Sequence, residues 1–325
     1  MSTLIAEGSD APGKRPVGIV TKAPLSAVSG FLLRPQGAPP AVEQLDVEAI
    51  IEEIKRRGAV MLQGFSLDVP AFERLSDRFR CEFADNLGSG SLRETVNGAT
   101  DGTIQNVAYR YGEGRQRTFP LPLHADRAYV KSSPHAMFFF CQRPAASGGQ
   151  TTIADGLSVY KGLSDRTRAL FDTTRVKYIR HYGAHEWPLL YRTQDLDQVR
   201  EYCARNDMTL RATADGSIRT EFVTSAVPLT RWQRQPAFCN SVQIGYWQEH
   251  ALRRKINYVR FEDDREIPAS VMAEVDEVSA ALTVEVPWES GDLVIVDNTR
   301  MLHGRRRFDD EQRAVMVRMA SRVHW

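Results

Sequence analysis

The stretch from Leu121 to Thr151, LPLHADRAYVKSSPHAMFFFCQRPAASGGQT, constrains this chain more than any other. It sets His124 and Asp126 two residues apart, just ahead of an apolar run and a glycine turn. In an extended strand, residues i and i+2 point to the same face, so the imidazole and the carboxylate converge with only Ala125 turned away. Two-thirds of a small metal site thus sits in three residues.

With 325 residues the chain is long enough for one large domain or two ordinary ones. A net charge of +1 with 42% hydrophobic residues describes an ordinary globular protein, which argues against nucleic acid or a membrane surface as partner. The four cysteines, at 81, 141, 203 and 239, form no C-x-x-C pair, so neither a zinc ribbon nor a disulfide framework is expected. Reduced thiols, the absence of an apolar leader in MSTLIAEGSDAPGKRPVG and the lack of any long uncharged apolar run make a cytoplasmic location the expectation.

Residues 1 to 28 lack any period and read as a flexible N-terminal arm, leaving 29–325 as a single domain. Val47, Ile50, Ile51 and Ile54 recur at helical spacing between a capping Asp46 and a terminating Gly58. Ala59 to Leu62 reads as a buried strand, and Asp68 caps a second helix with Phe72, Leu75, Phe79 and Phe83 inward. The Gly-, Ser-, Thr- and Asn-rich run from about 86 to 118 is long for a connection and suits a lid. A second insert runs from about 181 to 259, with a helix around Leu196 to Cys203, a turn at Asp215-Gly216 and a helical run from Tyr246 to Tyr258. Leu293 to Val296 reads as a buried strand, followed by a chain reversal at Asp309-Asp310 and a strand carrying Arg313 and Arg318.

A His-x-Asp pair completed by a distant histidine matches the 2-His-1-carboxylate facial triad of non-haem Fe(II) oxygenases, which leaves coordination positions open for substrates. The helix followed by RRGAVMLQGFSL, then LPLHAD, PAASGGQT and GDLVIVDNTRMLHGRRRF, resembles the taurine/2-oxoglutarate dioxygenase family of Fe(II)- and 2-oxoglutarate-dependent enzymes from about Phe31 to the C-terminus. The resemblance implies His124, Asp126 and His303 as metal ligands. It also implies Thr151, 27 residues beyond His124, as a contact to 2-oxoglutarate. The segment from His185 to Val223 is similar to the branch that contains the syringomycin-pathway aspartyl hydroxylase.

The same resemblance implies an arginine on the strand after the distal histidine, gripping the far carboxylate of 2-oxoglutarate with its planar fork. Arg313 and Arg318 are the candidates, and their odd separation sends them to opposite faces of a regular strand. The family's usual pair lies four apart on one face, but Ala314 stands four before Arg318. Arg318 is expected to face the site, with Arg313 the alternative if a bulge shifts the register.

The implied fold is mixed α/β with a mainly β core, a double-stranded β-helix (jelly roll) with flanking helices. The implied reaction consumes Fe(II)-bound 2-oxoglutarate and O2, releases succinate and CO2, and hydroxylates an amino acid or a related small acid, free or tethered to a carrier protein. The branch places that chemistry in natural-product biosynthesis. Desaturation, epoxidation and cyclisation use the same iron site, whereas the retained Asp126 argues against halogenation. From another class, a non-catalytic ligand-binding jelly roll or a zinc hydrolase built on two His and an Asp is the alternative, and a homo-oligomer is left open.

Other attractive residues have plainer readings. His135, His181, His185, His250 and His324 have no partner at ligand spacing, and the run Arg305-Arg306-Arg307 reads as a solvated turn. Trp187, Trp232 and Trp247 read as packing of the insert or lid. Tyr109, Arg115, Arg117 and Tyr129 flank the proximal motif, and spacing selects none of them as a substrate contact.

Overall fold

A computed structural model describes residues 19–26, 30–84, 87–88, 93–96, 100, 102–107, 110–111, 115–116, 118–251, 253 and 256–325. The helix Val47–Arg57 forms where the sequence places it: Asp46 Oδ1 accepts from the Ala49 N–H at 3.0 Å, and Gly58 ends the helix at φ 80°. Gly58 is also required by space, because a Cβ there would reach Met301 Sδ at 2.5 Å. The second helix, Val69–Asp77, is capped by Asp68 and stops short of the expected Phe83. Phe83 lies instead in the strand Cys81–Ala84.

Two sheets make the barrel. The larger has eight strands, with the central order Phe31–Gln36, Ala59–Leu62, Asp292–Asp297, Ala136–Arg143, Ala314–Val323. The smaller has four: Val284–Glu285, Thr151–Asp155, Met301–Arg305 and Leu121–His124, all antiparallel. The run MFFFC is apolar throughout because both faces of its strand are covered. Phe138 and Phe140 pack against the helices, with Phe140 stacked on Phe72 at 5.0 Å, while Met137 and Phe139 join Ile153, Val286 and Met301 between the sheets. Burying a large aromatic on each face stabilises the fold by roughly 2 to 3 kcal/mol per side chain.

The N-terminal arm is not wholly irregular, since Ile19–Pro24 pairs with Phe31–Gln36 at the sheet's edge; residues 1–18, 27 and 28 lie outside the described residues. Within the lid-like segment, Ile104–Asn106 pairs with the long strand Ala314–Val323, and Arg110–Tyr111 pairs with Arg115–Gln116. The insert is a second four-stranded antiparallel sheet, ordered Met208–Ala212, Ile218–Thr224, Val176–Tyr182, Asn257–Phe261, so it begins at Val176, before the expected boundary. The helical run expected from Tyr246 to Tyr258 is half right: the helix is Val242–His250, and Tyr258 is on a strand, where cross-strand pairing with Ile179 wins over local preference. That helix packs on both Asn257–Phe261 and Leu121–His124, which brings the insert against the barrel mouth.

Candidate active site

His303 sits directly opposite His124 across the antiparallel pair formed by Met301–Arg305 and Leu121–His124. Opposed residues share one face, and the two rings lie 4.6 Å apart between centroids. His124 Nδ1 lies 2.9 Å from the Pro122 carbonyl; as donor to it, Nδ1 carries the proton and Nε2 keeps a free lone pair. His303 is buried, its ring 5.0 Å from that of Phe139, and its Nδ1 has no hydrogen-bond partner among the described residues.

Asp126 reaches the same place by a different route from the one its spacing suggests. The strand ends at His124, and Asp126 lies in the following turn, with Arg127 at φ 58°. The convergence therefore comes from a held turn rather than from strand alternation. Asn298 holds it: its Oδ1 accepts from the Asp126 N–H at 2.9 Å, and its Nδ2 donates to the Asp126 carbonyl at 3.0 Å. Ser241 Oγ donates to the Ala125 carbonyl at 2.8 Å, fixing the residue before it.

The carboxylate itself is paired with Arg93, whose Nη2 donates to Asp126 Oδ2 at 2.9 Å. Although burial opposes the charge, Arg93 and the two imidazoles hold the Asp126 carboxyl well below the usual range. Burial pushes both histidines down, His303 to about 3. Two neutral imidazoles beside an ionised carboxylate are the protonation states that a divalent metal requires of its ligands. Among the described residues no group of three or more His, Cys, Asp or Glu side chains is placed to hold a metal ion as it stands. The donor set nevertheless fits iron: two nitrogens and a hard oxygen, with Arg93 engaging the other carboxylate oxygen. Arg93 lies in the Gly- and Ser-rich segment, and no local spacing in the sequence points to it.

Thr151 begins the strand beside the one that carries His303. Its hydroxyl accepts from Trp288 Nε1 at 2.9 Å, and it faces Arg305 across the pair. Just before it, Gly148 and Gly149 both have φ 70°, and a Cβ on Gly148 would run into the Arg307 carbonyl. Arg313 is buried here: its Nε donates to the Gly149 carbonyl at 2.9 Å and its guanidinium lies 5.2 Å from the Phe308 ring centroid. Burial pushes the Arg313 guanidinium down to about 10.

Arg318 does not face this site, which corrects the expectation. A register shift between Ala314 and Val315 sets the strand so that Val317 and Met319 point between the sheets. Arg318 then points to the helix side, where Nη1 donates to Ser76 Oγ at 2.6 Å and Asp77 Oδ1 at 2.7 Å, and Nε donates to Thr103 at 2.7 Å. The arginine run is also divided. Arg306 and Arg307 are exposed, as a solvated turn would be, but Arg305 is buried, with Nη2 on the Phe119 carbonyl at 2.9 Å and its guanidinium 4.9 Å from the Phe308 ring.

His124 and Asp126 open onto a cavity of about 140 Å³ between the barrel mouth and the insert. Tyr129, Arg180, Trp247 and Tyr258 form much of its wall. Trp187 and Trp232 lie elsewhere, Trp187 in the insert's core and Trp232 stacked on Trp325. Tyr109 and Arg117 lie outside the described residues, as does the side chain of Arg115. The remaining histidines have other surroundings: His181 stacks on Tyr258, His250 Nδ1 meets the Tyr246 carbonyl, His324 meets Glu82, His135 lies beside Arg231, and His185 is exposed.

A jelly-roll barrel with two opposed histidines and a carboxylate at one mouth defines the class of non-haem oxygenases. The taurine catabolism dioxygenase TauD, TfdA family matches residues 30–320, and the chain belongs to it. It is accordingly an Fe(II)- and 2-oxoglutarate-dependent oxygenase. Among relatives, the dapdiamide synthesis protein DdaC of Enterobacter agglomerans is 25% identical over 295 residues, 85% of each chain. The 3-((Z)-2-isocyanoethenyl)-1H-indole synthase of Fischerella ambigua is 22% identical, over 82% of this chain and 83% of its own. In fold, the crystal structure of PvcB from Pseudomonas aeruginosa superposes with a TM-score of 0.59 at 16% identity, covering 97% of this chain and 93% of that one. No helix among the described residues is long and apolar enough to cross a membrane.

Proposed function

We propose that this oxygenase hydroxylates an amino acid or a related small molecule in natural-product biosynthesis, with His124, Asp126 and His303 holding the iron. The observation that carries the assignment is the direct cross-strand opposition of His124 and His303 beside the Asp126 carboxylate. The biosynthetic setting is supported by relatives named for dapdiamide synthesis and for an isocyanoethenyl-indole, and by PvcB, described as belonging to an isonitrile synthetic pathway.

Bound iron supplies the oxidative decarboxylation of 2-oxoglutarate and the attack on an unactivated C–H bond. The chain's residues supply the rest. Pro122 fixes the His124 tautomer, Asn298 orients Asp126, and the apolar flank of Phe139 and Met319 keeps water from the buried faces of the ligands. Thr151 and Arg313 hold 2-oxoglutarate in this reading, with the Arg313 guanidinium offering a planar fork to the far carboxylate. The substrate enters the cavity between barrel and insert, free or presented on a carrier.

The test is anaerobic addition of Fe(II) and 2-oxoglutarate to the purified protein, followed by a screen of amino acids and carrier-bound amino acids for succinate formation in air. A visible charge-transfer band that His303→Ala abolishes is expected. Survival of the band in that variant would sink the ligand assignment. A zinc hydrolase on the same ligands would have no use for Thr151 or a buried Arg313.

A further inference from the structure

Several arginines reach buried surroundings in or beside the insert and its contact with the barrel, and two of them, Arg260 and Arg300, are paired with carboxylates. Arg260 meets Glu249 at 2.5 Å, and Arg300 meets Asp155 at 2.6 Å. Arg180 is buried to the same degree, at 7% exposure, yet among the described residues it meets no carboxylate. Its Nε donates to Asn257 Oδ1 at 3.2 Å, its guanidinium lies 3.7 Å from the Tyr129 ring centroid and 5.6 Å from that of Tyr182, and its buried Nη1 has no hydrogen-bond partner among the described residues.

The location gives this its meaning. Arg180 lines the same cavity as His124 and Asp126. The other charged side chains in that wall are Arg93 and Asp126, and they meet each other at 2.9 Å. Among the described residues one positive charge in that wall therefore remains without a carboxylate partner, in a partly open pocket. Removing a guanidinium from water without a counter-ion is unfavourable, and an anionic ligand reverses that cost. The remaining wall mixes apolar side chains, Phe119, Ile244 and Trp247 among them, with polar ones such as Ser241, Gln248 and Asn257.

We propose that Arg180 is the seat of a substrate carboxylate, so that the oxygenase acts on a free amino acid, or a similar small carboxylic acid, whose acid group docks on the Arg180 guanidinium. The Tyr129 ring braces the guanidinium, and a carboxylate that turns the Nη edge towards the cavity would meet a planar pair of N–H donors. Docking at the insert wall leaves the remainder of the molecule to lie across the cavity towards His124 and Asp126. The inference rests on the functional reading above and deepens it by naming the substrate's charge.

The test is anaerobic calorimetric titration of protein loaded with Fe(II) and saturating 2-oxoglutarate, using the standard L-amino acids and their primary amides. At least one acid is expected to bind about tenfold or more tighter than its amide, the contribution of one charged fork. Arg180→Met should abolish that preference, and Arg180→Lys should restore part of it, an effect that a purely structural role for the side chain would not produce. Equal binding of acid and amide, binding by none of the acids, or a preference that survives in Arg180→Met overturns the proposal. The iron–2-oxoglutarate band separates the two readings. If the wild-type protein gives no band, the functional reading fails; if it gives one that Arg180→Met alone loses, Arg180 serves the co-substrate and the inference fails.

Discussion

Asn298 grips Asp126 by its peptide on both sides, accepting from the N–H at 2.9 Å and donating to the carbonyl at 3.0 Å. The same amide nitrogen also donates to the Pro134 carbonyl at 2.9 Å. Asn298 stands a few residues ahead of His303, so one side chain ties the turn after the first candidate ligand to the run that delivers the last. No strand pairing is available at Asp126, and this amide takes its place.

Asn298→Ala should leave the barrel folded but loosen the carboxylate. Four hydrogen bonds disappear and buried backbone groups are left unmet, at a cost of about 2 to 4 kcal/mol. Fe(II) affinity should fall roughly tenfold to a hundredfold, as for other groups that orient a ligand. Urea denaturation and anaerobic iron titration measure the two effects, and unchanged iron binding would count against the clamp.

Asp126→Ala and Thr151→Val should separate iron from co-substrate. The first removes an oxygen donor and leaves Arg93 without its carboxylate, so iron binding is lost. The second keeps iron bound and raises the KM for 2-oxoglutarate. It also strands Trp288 Nε1, which now donates to the Thr151 hydroxyl at 2.9 Å, so stability should drop by about 1 to 3 kcal/mol. Thr151→Ser should recover both properties.

The two arginines should divide cleanly. Arg313→Met is expected to raise the KM for 2-oxoglutarate about tenfold to a hundredfold, the range for losing a charged hydrogen-bond partner. Arg318→Met should leave that KM unchanged and instead destabilise the packing of helix Val69–Asp77, where Arg318 meets Ser76 and Asp77. Steady-state kinetics and thermal melts on the pair decide the matter, and the reverse outcome would restore the reading from the sequence alone.

Asp297 sets a pH dependence away from the candidate iron ligands. Burial pushes its carboxyl up to about 6, so the folded state holds that proton more tightly than the unfolded state does. The contribution to stability is whole below the ordinary carboxylate value of about 4 and is lost as pH rises through about 6. Asp297→Asn keeps an oxygen for Thr299 and has no charge to bury. Its stability relative to wild type should therefore improve between pH 4 and pH 8, by at most ~3 kcal/mol. A flat difference across that range would show that the carboxyl is not perturbed.

Much of this architecture is legible in the residues. Caps at Asp46 and Asp68, the apolar run before Gly148 and the two histidine motifs each announce their element locally. Asn298 and Arg93 do not, because their meaning lies in contacts with Asp126 that no local pattern encodes. Arg318 misleads for a related reason: a register shift at Ala314 decides which face of the strand it takes, and a bulge leaves no reliable mark on composition. Likewise, the end of the helix at His250 is set by the pairing of Asn257–Phe261 with Val176–Tyr182 rather than by a breaker.

The cavity between barrel and insert has one further implication. His124 and Asp126 come from the barrel side, while Tyr178, Arg180, Asn257 and Tyr258 come from the inserted sheet. The machine is thus built as a fixed tool-holder with an exchangeable jaw. Drift in the jaw's residues can retune which guest is gripped while the holder keeps its settings, and grafting residues 176–261 between relatives is the direct way to move a substrate preference from one barrel to another.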